Sequence, residues 1–278
     1  MRPRSTAAGA GERRLPAKRA AKKQGLCDVL WRAGGASAFR SLFNLLHPGA
    51  VRILSGHRVV DEKGAMPEGD RRDLERGCLS RAQFIDRIDS LRARYGFLSL
   101  LDCAVLLRKG LPVPAHALIL TFDDGFRDLY DSVLPALADR QIPFTIFLTT
   151  GWLGKPGMLT AQQAGEMAER GRTLISWGAH GVTHRPLTGM HLSEAEREIA
   201  ASREQTEEIV GSPVRLFCYP DGKYNADVRR ILASRGFEGA CATGRRINVG
   251  AVDRYALQRI PFENEPPARF AFRVAGWV

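Results

Sequence analysis

The stretch Leu118-Ile119-Leu120-Thr121-Phe122-Asp123-Asp124-Gly125 constrains this chain more than any other. A bulky apolar run interrupted only by Thr121 reads as a strand buried on both faces, the habit of a parallel sheet. It ends in two adjacent carboxylates and a glycine, so the chain turns where charge is concentrated. Along a strand neighbouring side chains point apart, but at a strand end both carboxylates can aim at one pocket and do different jobs. These residues also admit a plainer reading, in which an aspartate caps a helix and the acids up to Asp131 fill its first turns.

Similar runs recur along the chain. Val51 to Leu54 reads as a first strand that runs out through Ser55-Gly56 into His57. Phe144 to Leu148, Leu174 to Trp177, Val214 to Cys218, Glu238 to Cys241 and Tyr255 to Ile260 read as further strands. Between them, Ser80-Arg81-Ala82-Gln83 is a capping box opening a helix over residues 81–94, and Leu101 to Leu107 has helical spacing. Residues 126–140 read as a helix with Pro135 as a kink or break, and 160–170 as another helix. Ser193-Glu194-Ala195-Glu196 reads as a second capping box, on a long helix that stops at Gly211; Asn225 caps one that ends at Gly236. A short segment over 267–274 closes the chain. The alternation predicts a parallel α/β architecture, and 278 residues with 44% hydrophobic content suffice to fill a barrel of that class.

Charge is unevenly placed. Residues 1–23 carry eight Lys or Arg against Glu12, so the first segment holds +7 of the net +11. Lacking any apolar run, residues 1–25 are expected to form a disordered basic tail. Residues 26–49, with Leu26, Val29, Leu30, Trp31, Phe39, Leu42, Phe43, Leu45 and Leu46 at helical spacing, predict two peripheral helices, and 50–278 the main domain. Residues 61–78 are expected to loop over one mouth of the fold. The main domain is only mildly basic, so specific nucleic-acid binding is not expected, whereas the tail can touch an anionic membrane weakly. The sequence shows neither the apolar core of a secretory signal nor the ~18 consecutive apolar residues of a membrane span. It therefore predicts a protein that is cytoplasmic or peripheral to the inner membrane face. Cys27, Cys78, Cys103, Cys218 and Cys241 are odd in number and scattered, which predicts reduced core thiols.

Two histidines follow the strand at 174–177, in Trp177-Gly178-Ala179-His180-Gly181-Val182-Thr183-His184-Arg185-Pro186. Either alone reads better as a hydrogen-bonded structural residue. On a helical turn, imidazoles four apart face one side and can grip one cation, at about 2.0–2.1 Å for zinc. With Asp124 added they predict a three-ligand site that leaves a coordination position for water or substrate.

Thr121 to Gly125, the pair His180 and His184, and Phe217-Cys218-Tyr219-Pro220-Asp221-Gly222 together resemble the motifs of the polysaccharide deacetylases, the NodB-homology or carbohydrate esterase family 4 enzymes. The resemblance implies a distorted, TIM-barrel-like (β/α) barrel and a divalent metal, usually zinc. It also implies hydrolysis of N-acetyl groups on amino sugars of a poly- or oligosaccharide. By position, Asp123 resembles the general base and Asp124, His180 and His184 the metal ligands. Tyr219, Pro220 and Asp221 resemble the segment that meets substrate and gives a backbone N–H to the oxyanion. The chemistry is coherent in itself, because an amide carbonyl is a poor electrophile and a carboxylate beside the cation can take a proton from the attacking water.

The chain departs from the family pattern in several places. Many members take the general acid from a late Leu-x-x-His motif, yet no histidine follows His191. His57, just past the first strand, resembles the acid of a branch related to the poly-N-acetylglucosamine deacetylases and is assigned that role; a structural hydrogen bond at the barrel mouth is the alternative. Gly181 replaces a hydroxyl residue that braces the histidine loop, so that brace has to be absent or supplied otherwise. Cys218 replaces the arginine that orients the base; Arg215 is displaced along the strand, and Arg259 is the expected substitute. An Asp-x-x-Asp-Trp motif is missing. The rival readings are a metal-dependent amidohydrolase acting on a non-glycan amide, a non-catalytic glycan-binding relic, and nucleic-acid binding through the basic tail. The last would require affinity that falls steeply with salt and vanishes on deleting residues 1–23.

Overall fold

The computed structural model describes residues 35–60 and 78–277. The expected tail, the first of the two peripheral helices and nearly all of the 61–78 loop lie outside the described residues, as does Cys27.

The apolar runs pair into one parallel sheet. In β1 (Arg52–Gly56), β5 (Ala117–Phe122) and β6 (Phe144–Leu148) every residue is buried, as a strand covered on both faces requires. With β7 (Ile175–Ala179), β8 (Leu216–Cys218), β9 (Gly239–Cys241) and β10 (Ile260–Pro261) the order is β10-β1-β5-β6-β7-β8-β9, and β4 (Gly96–Phe97) adds to β5 off this path. Leu257 bridges to Cys241 on β9 just before Ile260 pairs with Leu54 on β1. The segment 257–261 thus touches both ends of the row, and the sheet curls into a barrel. A separate small sheet joins β2 (Arg58–Val60) to β3 (Cys78–Ser80).

Helices coat the outside: α1 (Gly35–Leu46), α2 (Arg81–Arg92), α3 (Leu100–Arg108), the short α4 (Leu134–Ala138), α5 (Ala161–Arg170), α6 (Leu192–Val210), α7 (Ala226–Ser234) and α8 (Pro267–Ala275). The expected capping box of Ser80 with Gln83 opens α2, and Thr160 with Gln163 forms another on α5. Strand residues divide by alternation between two cores. Leu118, Leu120, Phe144, Ile146 and Leu148 belong to the larger one, and Ile53, Ile119, Phe147, Cys218 and Cys241 to the smaller. Cys78, Cys103, Cys218 and Cys241 are free and buried. Among the described residues no helix is long and apolar enough to cross a membrane.

Three elements differ from expectation for identifiable reasons. The helix expected over 126–140 is a π turn, Leu129–Val133, followed by α4 with Pro135 in its first turn; a proline lacks the N–H that a continuous helix would need there. Helix α6 is capped by His191, whose Nδ1 accepts from the Ser193 N–H, so Ser193 is inside the helix and is not its cap. The last strand shrinks to two residues because side chains claim its upstream N–H groups: Asp253 takes that of Tyr255, and Asn248 that of Gln258.

Candidate active site

The C-terminal ends of β1, β5, β7 and β8 meet at one rim, which is where parallel barrels gather reactive groups. Asp124 adopts φ +74°, so the chain reverses directly after β5 and sends the two adjacent carboxylates different ways. Asp123 meets Arg259, which donates to both its oxygens at 2.7 Å. The guanidinium also donates to the carbonyl of Ala242 and to Thr121 Oγ1, each at 3.1 Å, and lies 3.0 Å from Cys218 Sγ. Arg259 stands immediately before β10, so its long side chain rises along the barrel interior to the tip of β5. Arg215 is exposed at the start of β8. Burial pushes the Asp123 carboxyl up, but the charge and hydrogen bonds of Arg259, with His180 and His57, outweigh it and hold the group well below the usual carboxylate range.

Asp124 faces the histidines instead. Its Oδ1 is 3.5 Å from His180 Nε2 and 3.3 Å from His184 Nε2. His180 Nδ1–H donates to the carbonyl of Cys218 at 2.7 Å, and burial lowers the ring's pKa to about 4. The neutral ring therefore presents an unprotonated Nε2 to Asp124. Burial lowers His184 as well, against the charges of Asp221 and Asp123. The two histidines do not share a helical turn as expected. They occupy a loop that doubles back through Gly181 at φ +79° and His184 at φ +60°, and this reversal brings the rings together.

Three acceptor atoms thus converge. Asp124 Oδ1 is buried without a hydrogen-bond partner among the described residues, and the three ligand atoms lie within 4.8 Å of one another. Acceptors crowded in this way need a shared proton or a cation, and two imidazoles with one carboxylate are a donor set suited to zinc. Burial and then the charge of Asp123 push the Asp124 carboxyl up to about 8. Asp123, His180 and Cys218 also lie close together, but there the Arg259 guanidinium already supplies the positive charge.

The β8 corner differs in part from expectation. Tyr219 is buried, its N–H is paired with the carbonyl of Cys241, and its hydroxyl donates to the carbonyl of Tyr255. It serves the core and offers nothing to an oxyanion. Pro220 has no N–H, while those of Gly222 and Lys223 bond back to Tyr219 and Pro220, which leaves the Asp221 N–H as the donor of this corner. Asp221 adopts φ +56°. Asp124, His184 and Asp221 are thus three non-glycine residues in the left-handed region at one site, each costing about 1–3 kcal/mol that the surrounding structure has to offset.

His57 is half exposed at the mouth, with Nε2 3.8 Å from Asp123 Oδ2. Desolvation lowers its pKa, while Asp123 opposes the shift. The Trp152 ring lies against that of His184, centroids 4.7 Å apart. Sequence reasoning missed Trp152; the available signal was an aromatic residue in a glycine-rich turn directly after a strand tip.

Residues 110–240 match the family model described as polysaccharide deacetylase. The matched stretch is just under half of the chain, and over those residues the chain is similar to this family. The deacetylases it resembles are consistent with hydrolysis of a carbon–nitrogen bond. His57 and Arg259 fall outside the matched stretch. YxkH of Bacillus subtilis (strain 168), named for the same family, is 27% identical over 170 residues, 60% of this chain and 58% of YxkH, so the match spans less than two thirds of that relative. A poly-β-1,6-N-acetyl-D-glucosamine N-deacetylase of Staphylococcus epidermidis is 23% identical over 210 residues, 70% of this chain and 71% of the relative. The fold resembles that of the Streptococcus pyogenes deacetylase PplD, solved in complex with acetate, at a TM-score of 0.70 and 22% identity over 80% of this chain and 97% of that one.

Proposed function

We propose that this protein hydrolyses N-acetyl groups on amino sugars of a poly- or oligosaccharide, with Asp124, His180 and His184 holding a divalent cation, zinc by the nature of the donors. One observation carries the reading: three acceptor atoms converge beside a second carboxylate that is committed elsewhere. When bound, the cation supplies a Lewis acid for the acetamide carbonyl and acidifies the attacking water.

The chain's own groups divide the remaining work. Asp123 takes the proton of the attacking water. Arg259 keeps it ionised and prevents it from rotating onto the three acceptors as a fourth ligand. The Asp221 N–H meets the negative charge that develops on the carbonyl oxygen. His57 gives a proton to the departing amine; its place at the mouth, beside Asp123, lets the carboxylate favour the charged ring. The name of the staphylococcal relative supports poly-N-acetylglucosamine as the class of glycan to test first.

The test is acetate release from N-acetylglucosamine oligomers of several lengths, before and after chelation and on adding zinc back. Release that chelator abolishes and zinc restores is expected. A protein that releases no acetate from any of them, or releases it equally under chelator, would overturn the proposal.

A further inference from the structure

The loop that carries His184 depends on support from outside itself. Gly181 offers no side chain, and Gly181 and His184 both occupy the left-handed region, at φ +79° and φ +60°. Between them the N–H groups of Val182 and Thr183 converge on one oxygen, Oε2 of Glu198, at 2.8 and 3.1 Å. Two adjacent N–H groups on one carboxylate oxygen form charge-assisted bonds in a small anion nest. Glu198 stands on α6, where the buried Ala195, Ile199 and Ser202 fix the helix against the domain. The fit is close, since a Cβ at position 181 would come within 3.3 Å of Glu198 Oε2.

The loop's carbonyls are held from the other side. Thr150 and Gly151 donate their N–H groups to the carbonyls of Gly181 and Val182, at 3.3 and 3.0 Å. Thr150 Oγ1 in turn donates to Gln205 Oε1 at 2.6 Å, which ties this turn to α6 as well. Helix α6 therefore anchors both segments that enclose His184, and Glu198 does so on the loop that carries the ring.

We propose that Glu198 is a positioning residue for His184 and, through the loop, sets the affinity of Asp124, His180 and His184 for a divalent cation; this rests on the metal reading above. It fills the role left open by the absence of a hydroxyl at Gly181. Groups that orient metal ligands without touching the metal typically change affinity about 10–100-fold when removed.

The test is zinc affinity, measured by competition with a chromophoric chelator, for the wild type, Glu198→Ala, Glu198→Gln and Glu194→Gln, with melting temperatures of the metal-free proteins taken alongside. Glu194 lies on the same helix, and its side chain accepts from Arg185 at 2.8 Å. Glu198→Ala is expected to bind zinc about 10–100-fold more weakly. Glu198→Gln, which keeps an acceptor oxygen but not the charge, should fall between it and the wild type, and Glu194→Gln should match the wild type. Equal affinity in the wild type and Glu198→Ala would overturn this proposal alone. Should Glu198→Ala not fold, Glu198→Gln decides, and wild-type affinity there would overturn it. Failure of the wild type to bind zinc would overturn the metal reading, and this proposal with it.

Discussion

Arg259 donates to both oxygens of Asp123 at 2.7 Å inside the barrel, and that pairing separates the roles of two adjacent aspartates. With Asp123 held, only Asp124 is left to face His180 and His184. The charge that Asp123 keeps is also one reason the Asp124 carboxyl stands so high without a cation.

Arg259→Met should leave a buried, unpaired carboxylate. Breaking a buried pair from one side costs about 3–5 kcal/mol, and acetate release should be lost with it. Arg259→Lys restores the charge but not the two-point grip, so thermal melts should show a smaller loss of stability while turnover remains far below wild type. A wild-type rate in Arg259→Lys would mean that orientation of Asp123 does not matter.

Stability without metal should depend on pH through Asp124. Its folded pKa is raised from 3.8 to about 8, so its contribution is fully present below pH 3.8 and is lost as pH rises towards 8. Asparagine at 124 cannot ionise. The melting temperature of the metal-free wild type should therefore fall relative to Asp124→Asn between pH 4 and 8, and zinc should reverse the fall in the wild type only. His180, lowered to about 4, acts in the opposite sense, with a contribution present above pH 6.5 and lost towards pH 4, but it does so in both proteins. Parallel melting curves for the two proteins across this range would refute the assignment.

His57→Ala should reduce turnover about 10²–10⁴-fold, the usual worth of a positioned acid, with zinc content unchanged. Because the side chain is half exposed, the melting temperature should move little. A rate close to wild type would transfer the acid role to another group.

The strand tips could be read from the sequence because a buried apolar run ends in charge chiefly where a sheet strand opens onto a polar rim, as at Phe122-Asp123-Asp124. Arg259 could be proposed because a missing arginine at Cys218 has to be replaced by a cation that reaches the same interior. The conformation of residues 180–184 could not be read, since a four-residue spacing fits a helical turn and a doubled-back loop equally well. Left-handed φ at His184 carries no periodic signal. Glu198 was invisible for another reason: its partners are backbone N–H groups, which every residue except proline has. Only the lack of a hydroxyl at Gly181 hinted that some brace was needed. Tyr219 was misassigned because a motif marks a segment and does not say which of its N–H groups the sheet has already used.

The most direct measurement is zinc content per chain together with acetate release for the wild type, Asp123→Asn and Asp124→Asn. The wild type should carry one zinc and release acetate, Asp123→Asn should keep its zinc and release none, and Asp124→Asn should lose both. Loss of zinc in Asp123→Asn, or a full zinc complement in Asp124→Asn, would contradict the division of labour between the two carboxylates.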